Sequence, residues 1–436
     1  MIRAFFCTAL LFVAAPVFGQ VRFIEPTPTP VKVVVTDNMP AIKPPSPRPT
    51  PTPIIVGATP GISSRPVVVT SGTSIQPAAT PATQSVPATT PLSGLTFPAL
   101  TFRQMKNKIA EAKRQMQTRP IATASSEGTM MTEFVRVAFN DSRTNEIDYV
   151  VLAKDAFLSV PDEKVSTSQN GRQLRIRTIR GNGVNTPIVL IDERGETHVP
   201  LLVQYPVVRE GKYIETAYYM STHPGLVTPE VVNAGRFYVR NVIEIARDRL
   251  KEKGIVINAK LADIAERLAT VEHVDHLRFR TEPHSDIFND IFTLYALNEG
   301  QTYRYSVSSA GAGGMVQMIP STYRMVRSWH SNVPLMPDFV EGMRNHVNAS
   351  EAMLLYMQRT WNDLIASPTV AEAFSTGMAT QEQLMAAGYN SNPARIAGYI
   401  KRGGENWTSL IPRETKIYLQ IYDSIERNVP MTARTR

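Results

Sequence analysis

Cysteine is almost missing from this sequence: Cys7 is the one thiol in 436 residues. It lies in an N-terminal stretch that reads as a cleaved leader, too early to be the lipid-bearing cysteine of a lipoprotein. The mature chain therefore has no disulfide and no cysteine-ligated metal, and apolar cores must supply its stability. Long apolar runs are also scarce. Past the leader no segment approaches the roughly 20 residues that cross a bilayer, so no integral membrane segment is expected in the mature protein. Tryptophan is limited to Trp329, Trp361 and Trp407, which read as core positions before they read as stacking platforms for a ligand.

What is present falls into blocks. Residues 1–19 have the layout of a secretory signal peptide: Arg3 brings positive charge, residues 4–17 are apolar, and small Gly19 ends the stretch. An uncleaved anchor is the alternative, but the run is shorter than a span requires. The expectation is export, most simply to a periplasm. The net charge of +8 suits an anionic partner. An exported protein meets the carboxylates of a bacterial wall sooner than nucleic acid, so no nucleic-acid role is expected.

Residues 20–100 form a Pro/Thr-rich linker, with more than half of the 33 prolines between 25 and 98. Repeated proline removes backbone donors and fixes φ, so helices and central strands fail there; a disordered, semi-extended spacer is expected. A short charged helix from Phe102 to Gln117, closed by Pro120, reads as a connector with a weak apolar face, within a segment 101–129. From 130 to 225 the hydrophobic period is two, and about six strands are expected, punctuated by Asn170-Gly171, Asn182-Gly183, Arg194-Gly195 and Glu210-Gly211. That small, mostly antiparallel β domain carries no acid pair, metal cluster or phosphate loop, and its role is not readable.

From 226 to 436 the pattern is helical. Thr228-Pro229 is an N-cap with proline at the first helical position, Gly254 ends that helix, and Asn258 opens the next. Ser285 is expected to cap a third helix whose last residue is Glu299. The fold class is thus α+β multidomain: the β domain, then an all-α domain. His273 and His276 sit three apart, which on a helix would share a face, yet no further ligand follows at metal spacing, and no metal is expected. Asp286 and Asp290 read as a solvated face or a cap.

The informative stretch runs from Tyr295 to Tyr323. An apolar helix ends on Glu299, a polar aromatic loop follows, then Ser308-Ser309-Ala310-Gly311-Ala312-Gly313-Gly314, and a second helix is expected to begin near Met315 and carry Gln317. Burial against apolar neighbours disfavours a carboxylate, and the negative pole of the helix acts in the same sense; a carboxyl protonated near neutral pH can serve as a general acid. Taken alone, a Glu at a helix end is more often a solvated side chain.

The surrounding residues point further. Glu299, then Ser308, Gly311-Ala312, Gly314-Met315-Val316-Gln317 and Pro320-Ser321-Thr322 resemble the signature of lytic transglycosylases of the soluble-lytic-transglycosylase type, which have a lysozyme-like fold; Ser308 and Gln317 stand nine and eighteen residues past the Glu. Asn345-His346-Val347-Asn348-Ala349-Ser350-Glu351-Ala352, Ala387-Gly388-Tyr389-Asn390 with Pro393, and Glu414-Thr415-Lys416-Ile417-Tyr418 resemble three further motifs of that family, in order. The resemblance covers residues 279–421, about a third of the chain. Gly300 stands where the family usually has Ser, Met315-Val316 replaces Leu-Met, and Gly388 replaces Ala.

The resemblance implies a peptidoglycan lyase that cleaves the β-1,4 bond between N-acetylmuramic acid and N-acetylglucosamine and leaves 1,6-anhydromuramoyl ends. It implies Glu299 as catalytic acid and base, with Ser308, Gln317, Tyr389, Asn390, Glu414 and Tyr418 binding the glycan, and no cofactor. A hydrolytic muramidase on the same fold and a non-catalytic wall-binding protein are the alternatives, and any envelope protein partner is left open.

Overall fold

A computed structural model describes residues 22–23, 84–86, 94–118, 132–160, 162–209, 211–308 and 310–435. The expected signal peptide with Cys7, and nearly all of the linker, lie outside the described residues. Two short strands, β1 (Arg22–Phe23) and β2 (Gln84–Val86), precede the helix α1 (Phe102–Thr118). The β domain holds β3 (Phe134–Asn140), β4 (Ile147–Ala153), a short helix α2 (Lys154–Leu158), β5 (Glu163–Thr167), β6 (Gln173–Thr178), β7 (Ile188–Asp192), β8 (Thr197–Arg209) and β9 (Lys212–Tyr219).

These strands run antiparallel in the order β2-β5-β6-β7-β8-β3-β4, with β9 also on β8, and curl into a nearly closed barrel. β8 is the spine: it pairs with β7 at Thr197 and His198, with β3 from Val199 to Gln204, and with β9 from Val203 to Arg209. Alternation sends Val135, Val137 and Phe139 of β3 into the main core, while Ala138 faces the other way. The sequence reading missed β5, whose Glu-Lys-Val-Ser-Thr is short and mostly polar, because Glu163 and Lys164 are buried there with partners.

α1 corrects the connector reading. Met105, Ile109, Ala112 and Met116 recur at helical spacing and are buried together with Ala138, Leu201 and Leu202 of the sheet and Ala296 and Leu297 of a later helix. The stripe looked weak because alanine and methionine carry it among many charges. Arg136 donates to the Met116 carbonyl (2.9 Å) and Tyr149 donates to Gln115 (2.7 Å), which lock the helix onto β3 and β4.

The helical part comprises α3 (Pro229–Glu252), α4 (Ala259–Val271), α5 (His276–Thr281), α6 (His284–Asn298), β10 (Ser306–Val307), α7 (Pro320–Trp329), α8 (Phe339–Arg344), α9 (His346–Ile365), α10 (Pro368–Ser375), α11 (Gln381–Asn390), α12 (Ile396–Gly403) and α13 (Arg413–Asn428). The expected caps are present: Thr228 and Asn258 accept from Val231 and Leu261 N–H, and Gly254 follows α3 at φ +78°. α6 starts two residues earlier than expected, at His284 behind Pro283, so Ser285 is not its cap.

α6 is the buried axis of the helical part, apolar on nearly every side from Ile287 to Leu297. α3 crosses it in backbone contact at Gly235, where a Cβ would lie 1.8 Å from the Phe292 carbonyl oxygen. Only glycine permits that approach. Trp407 is buried; Trp361 packs edge-on to Phe374, and Trp329 is exposed on one side with Arg359 over its ring. No helix among the described residues is long and apolar enough to cross a membrane.

Candidate active site around Glu299

The end of α6 is fastened to the β domain. Asn298 donates from Nδ2 to the Met220 carbonyl and accepts at Oδ1 from the Met220 N–H, both at 2.9 Å. Glu299 follows as the helix C-cap with φ +47° and ψ −125°, a left-handed conformation that costs a non-glycine residue about 1–3 kcal/mol. Tyr303 (φ +58°) and Gln317 (φ +45°) share that trait, so among the described residues three of the four non-glycine positions with positive φ lie in this stretch. Strain of this kind persists only where surrounding contacts over-determine it, and it clusters at functional sites.

Those contacts are specific. The Thr302 carbonyl accepts from His346 Nε2 (2.9 Å), and because that nitrogen must carry the proton, Nδ1 accepts from the Tyr238 hydroxyl (2.9 Å). Burial holds His346 down to about 4, and hence neutral. The Tyr303 N–H reaches the Tyr219 hydroxyl of β9 (3.3 Å). Tyr238 is pushed upward by burial and then by the negative charge of Glu299, which places that carboxylate in its neighbourhood.

Glu299 also meets Lys106 of α1 in an ion pair, each side chain 22% exposed. An ammonium in contact favours the charged form of a carboxylate, the opposite of what desolvation and the helix pole do. Nothing near Glu299 in sequence announces this partner. Of the grooves in the surface, one of about 490 Å³ lies between α1 and β4 and another of about 420 Å³ beside Phe97 and Ser142. Glu299 lines neither.

The glycine stretch is a turn, which corrects the expected helix from Met315. Gly313 bridges Val307 on one side and Met318 on the other, and α7 begins only at Pro320. Gly314 has φ +67° and would put a Cβ 2.3 Å from the Met343 carbonyl oxygen, so the backbone passes tightly over α8. Gln317 sits on this turn and donates to the Gly314 carbonyl (2.8 Å). His273 Nε2 is 2.9 Å from the Met315 carbonyl, and Tyr389 of α11 donates to the Val316 carbonyl (2.7 Å). Three consecutive turn carbonyls are therefore each held by a side chain.

Of the other expected binding residues, Ser308 closes its own loop: its Oγ accepts from Ala312 N–H (3.0 Å) and its N–H donates to the Ala312 carbonyl (2.9 Å). Tyr389 packs edge-on to Tyr356, and Asn390 ends α11 half-buried beside it. Tyr418 of α13 donates to Glu272 (2.6 Å), while Glu414 is exposed in the first turn of α13. So Tyr418 and Glu414 gather around Glu272, not Glu299. Burial pushes Glu272 up to about 8, opposed by the Tyr418 hydrogen bond and aided by the charge of Glu414.

Glu272 was not singled out from the sequence, and His273 was considered only as a metal ligand. They belong to Glu272-His273-Val274-Asp275-His276, where a metal reading was weighed. α4 ends at Val271 and α5 starts at His276, so the two histidines share no helix face. Asp290 is half-buried and accepts from Arg278 (2.7 Å), so it is not a solvated face. Against family models, curated proteins and solved structures, the chain finds no match.

Proposed function

We propose that the chain is an exported peptidoglycan lytic transglycosylase whose helical part is a lysozyme-like catalytic domain, with Glu299 as its acid and base. The observation that carries the reading is Glu299 itself. A carboxylate is held in strained backbone at the end of a largely buried helix, braced by Asn298, His346 and Tyr219, and followed by a carbonyl-anchored glycine turn. That precision exceeds what a fraying surface glutamate needs.

In the reaction, Glu299 in its protonated form gives its proton to the glycosidic oxygen as the bond to the muramoyl anomeric carbon breaks. The resulting carboxylate takes the proton of the muramoyl 6-hydroxyl, whose oxygen bonds to that same carbon. No water is added, and Glu299 ends protonated as it began. To carry the first proton Glu299 must lose its pairing with Lys106, so an entering glycan has to draw the ammonium away and exclude water around the carboxyl.

The Lys106 contact also favours a second reading, a wall-binding protein in which Glu299 is a structural ion-pair partner. Digestion of purified peptidoglycan by the mature protein and by Glu299→Gln, with mass analysis of the soluble products, separates them. Anhydro-muropeptides from the wild type alone support the transglycosylase. Reducing ends point to a muramidase, and no release by either protein points to wall binding.

A further inference from the structure

His273 touches both strained segments of the candidate site. Its ring lies flat on Tyr303, centroids 3.3 Å apart and planes 4° from parallel, and Tyr303 belongs to the loop that leaves Glu299. Its Nε2 is 2.9 Å from the carbonyl of Met315 in the glycine turn that carries Gln317. Tyr295 of α6 closes the cluster edge-on, 6.4 Å from His273 and 5.3 Å from Tyr303, and its hydroxyl donates to the Ala269 carbonyl of α4 (3.0 Å). The imidazole thus spans between the segment after α4, the Glu299 loop and the turn.

A carbonyl accepts only from a protonated nitrogen, so Nε2 bears the hydrogen of a neutral ring. Burial lowers this histidine to about 3, which keeps the ring uncharged and the donor in place at any ordinary pH. Tyr303 and Gln317 have φ of +58° and +45°. Other side chains hold each segment separately, and His273 is a rigid side chain that touches both.

We propose that His273 is a positioning residue of the reaction assigned above: it fixes the glycine turn at a set distance from Glu299 and contacts no substrate. The inference rests on the transglycosylase reading. Its role needs two parts of one side chain, the flat ring against Tyr303 and the N–H toward Met315, which two replacements separate. His273→Phe keeps the ring and loses the donor; His273→Gln keeps a donor and loses the ring.

The test uses the full mature chain and both variants, with kcat and KM for muropeptide release corrected to the folded fraction. Misplacing a reacting group by about 1 Å costs about 100-fold, so kcat is expected to fall between about tenfold and 100-fold in each variant. KM should stay within about twofold, and the pH limbs should not move, because the imidazole does not titrate where the enzyme works. A merely structural role would lower the melting temperature and the folded fraction but leave kcat per folded molecule unchanged. Wild-type release with both variants, or the one that folds, within twofold of its kcat overturns the inference and leaves the reaction standing. Absence of release by the wild type overturns the reaction, and the inference with it.

Discussion

Lys106 and Glu299, 193 residues apart in the chain, form an ion pair at the end of α6. Lys106 reaches it from a helix whose other face is sealed into the sheet, so the ammonium is held over the carboxylate by a rigid element. If an entering glycan must displace it, Lys106→Gln removes a barrier to proton uptake by Glu299. Release of anhydro-muropeptides by Lys106→Gln should be several-fold faster than by the wild type, with stability lower by about 1 kcal/mol for a partly exposed pair. A slower variant of unchanged melting temperature would instead make Lys106 a required partner of the carboxyl.

Acid should unfold this protein early. Burial lowers His223 and His273 to about 3 and His346 to about 4. Each is neutral when folded and protonates near 6.5 when unfolded, so the unfolded chain binds more protons in acid. The stability these groups contribute is complete above pH 6.5 and is lost as pH falls toward 4, by about 3 kcal/mol for each histidine. Denaturant titrations from pH 7 to 4 should show that slope, and His346→Gln should flatten it.

Glu272 acts in the opposite sense. Its carboxyl is raised from 4.5 to about 8, so the folded state holds a proton that the unfolded chain has released. Its stabilising contribution is complete below pH 4.5 and is lost as pH rises through 8. Glu272→Gln keeps an acceptor for Tyr418 and removes the titration. The variant should therefore gain on the wild type by about 2–4 kcal/mol between pH 5 and 9, read as a widening difference in unfolding midpoint. Parallel pH curves for the two proteins would count against a buried, proton-bearing Glu272.

Gly235→Ala is expected to be severe. The added methyl would overlap the Phe292 carbonyl oxygen at 1.8 Å, in a place where only backbone can give way. Forcing α3 off α6 should cost about 3 kcal/mol or more, seen as a sharp loss of melting temperature or of folded protein. Gly398→Ala, where a Cβ meets nothing within 4 Å, serves as the control and should be neutral or slightly stabilising.

The local grammar of the chain was readable. Thr228-Pro229, Asn258 and Gly254 mark helix ends by chemistry that acts within four residues, and each does so in the structure. Glu299 was legible as the end of an apolar helix. The turn at 313–318 was not: Met315-Val316-Gln317-Met318 has helical composition, and only the neighbouring Gly311 and Gly314, with Pro320 after them, hinted at a bridge and a late helix start. Partners distant in sequence were invisible. Lys106 lies in a charged helix whose composition reads as a connector, and the hold of Met220 on Asn298 uses backbone atoms that every residue has. Tyr418 and Glu414 were expected to serve the site of Glu299, yet their hydrogen bonding and charge act on Glu272, an acid outside the motifs.

The shared apolar cluster that joins α1, the sheet and the end of α6 has a consequence for synthesis. Leu100, Met105, Ile109 and Met116 are made long before Ala296 and Leu297, with the whole barrel between them. Contacts so distant along the chain close slowly and late. The barrel can fold while the helices are still being made, but it then presents an uncovered apolar stripe that only the arrival of α6 can seal. A chain truncated before α6 would therefore carry a sticky, half-finished surface. Assembly of the carboxylate with its lysine becomes a checkpoint that is passed only once the chain has reached residue 299 of 436.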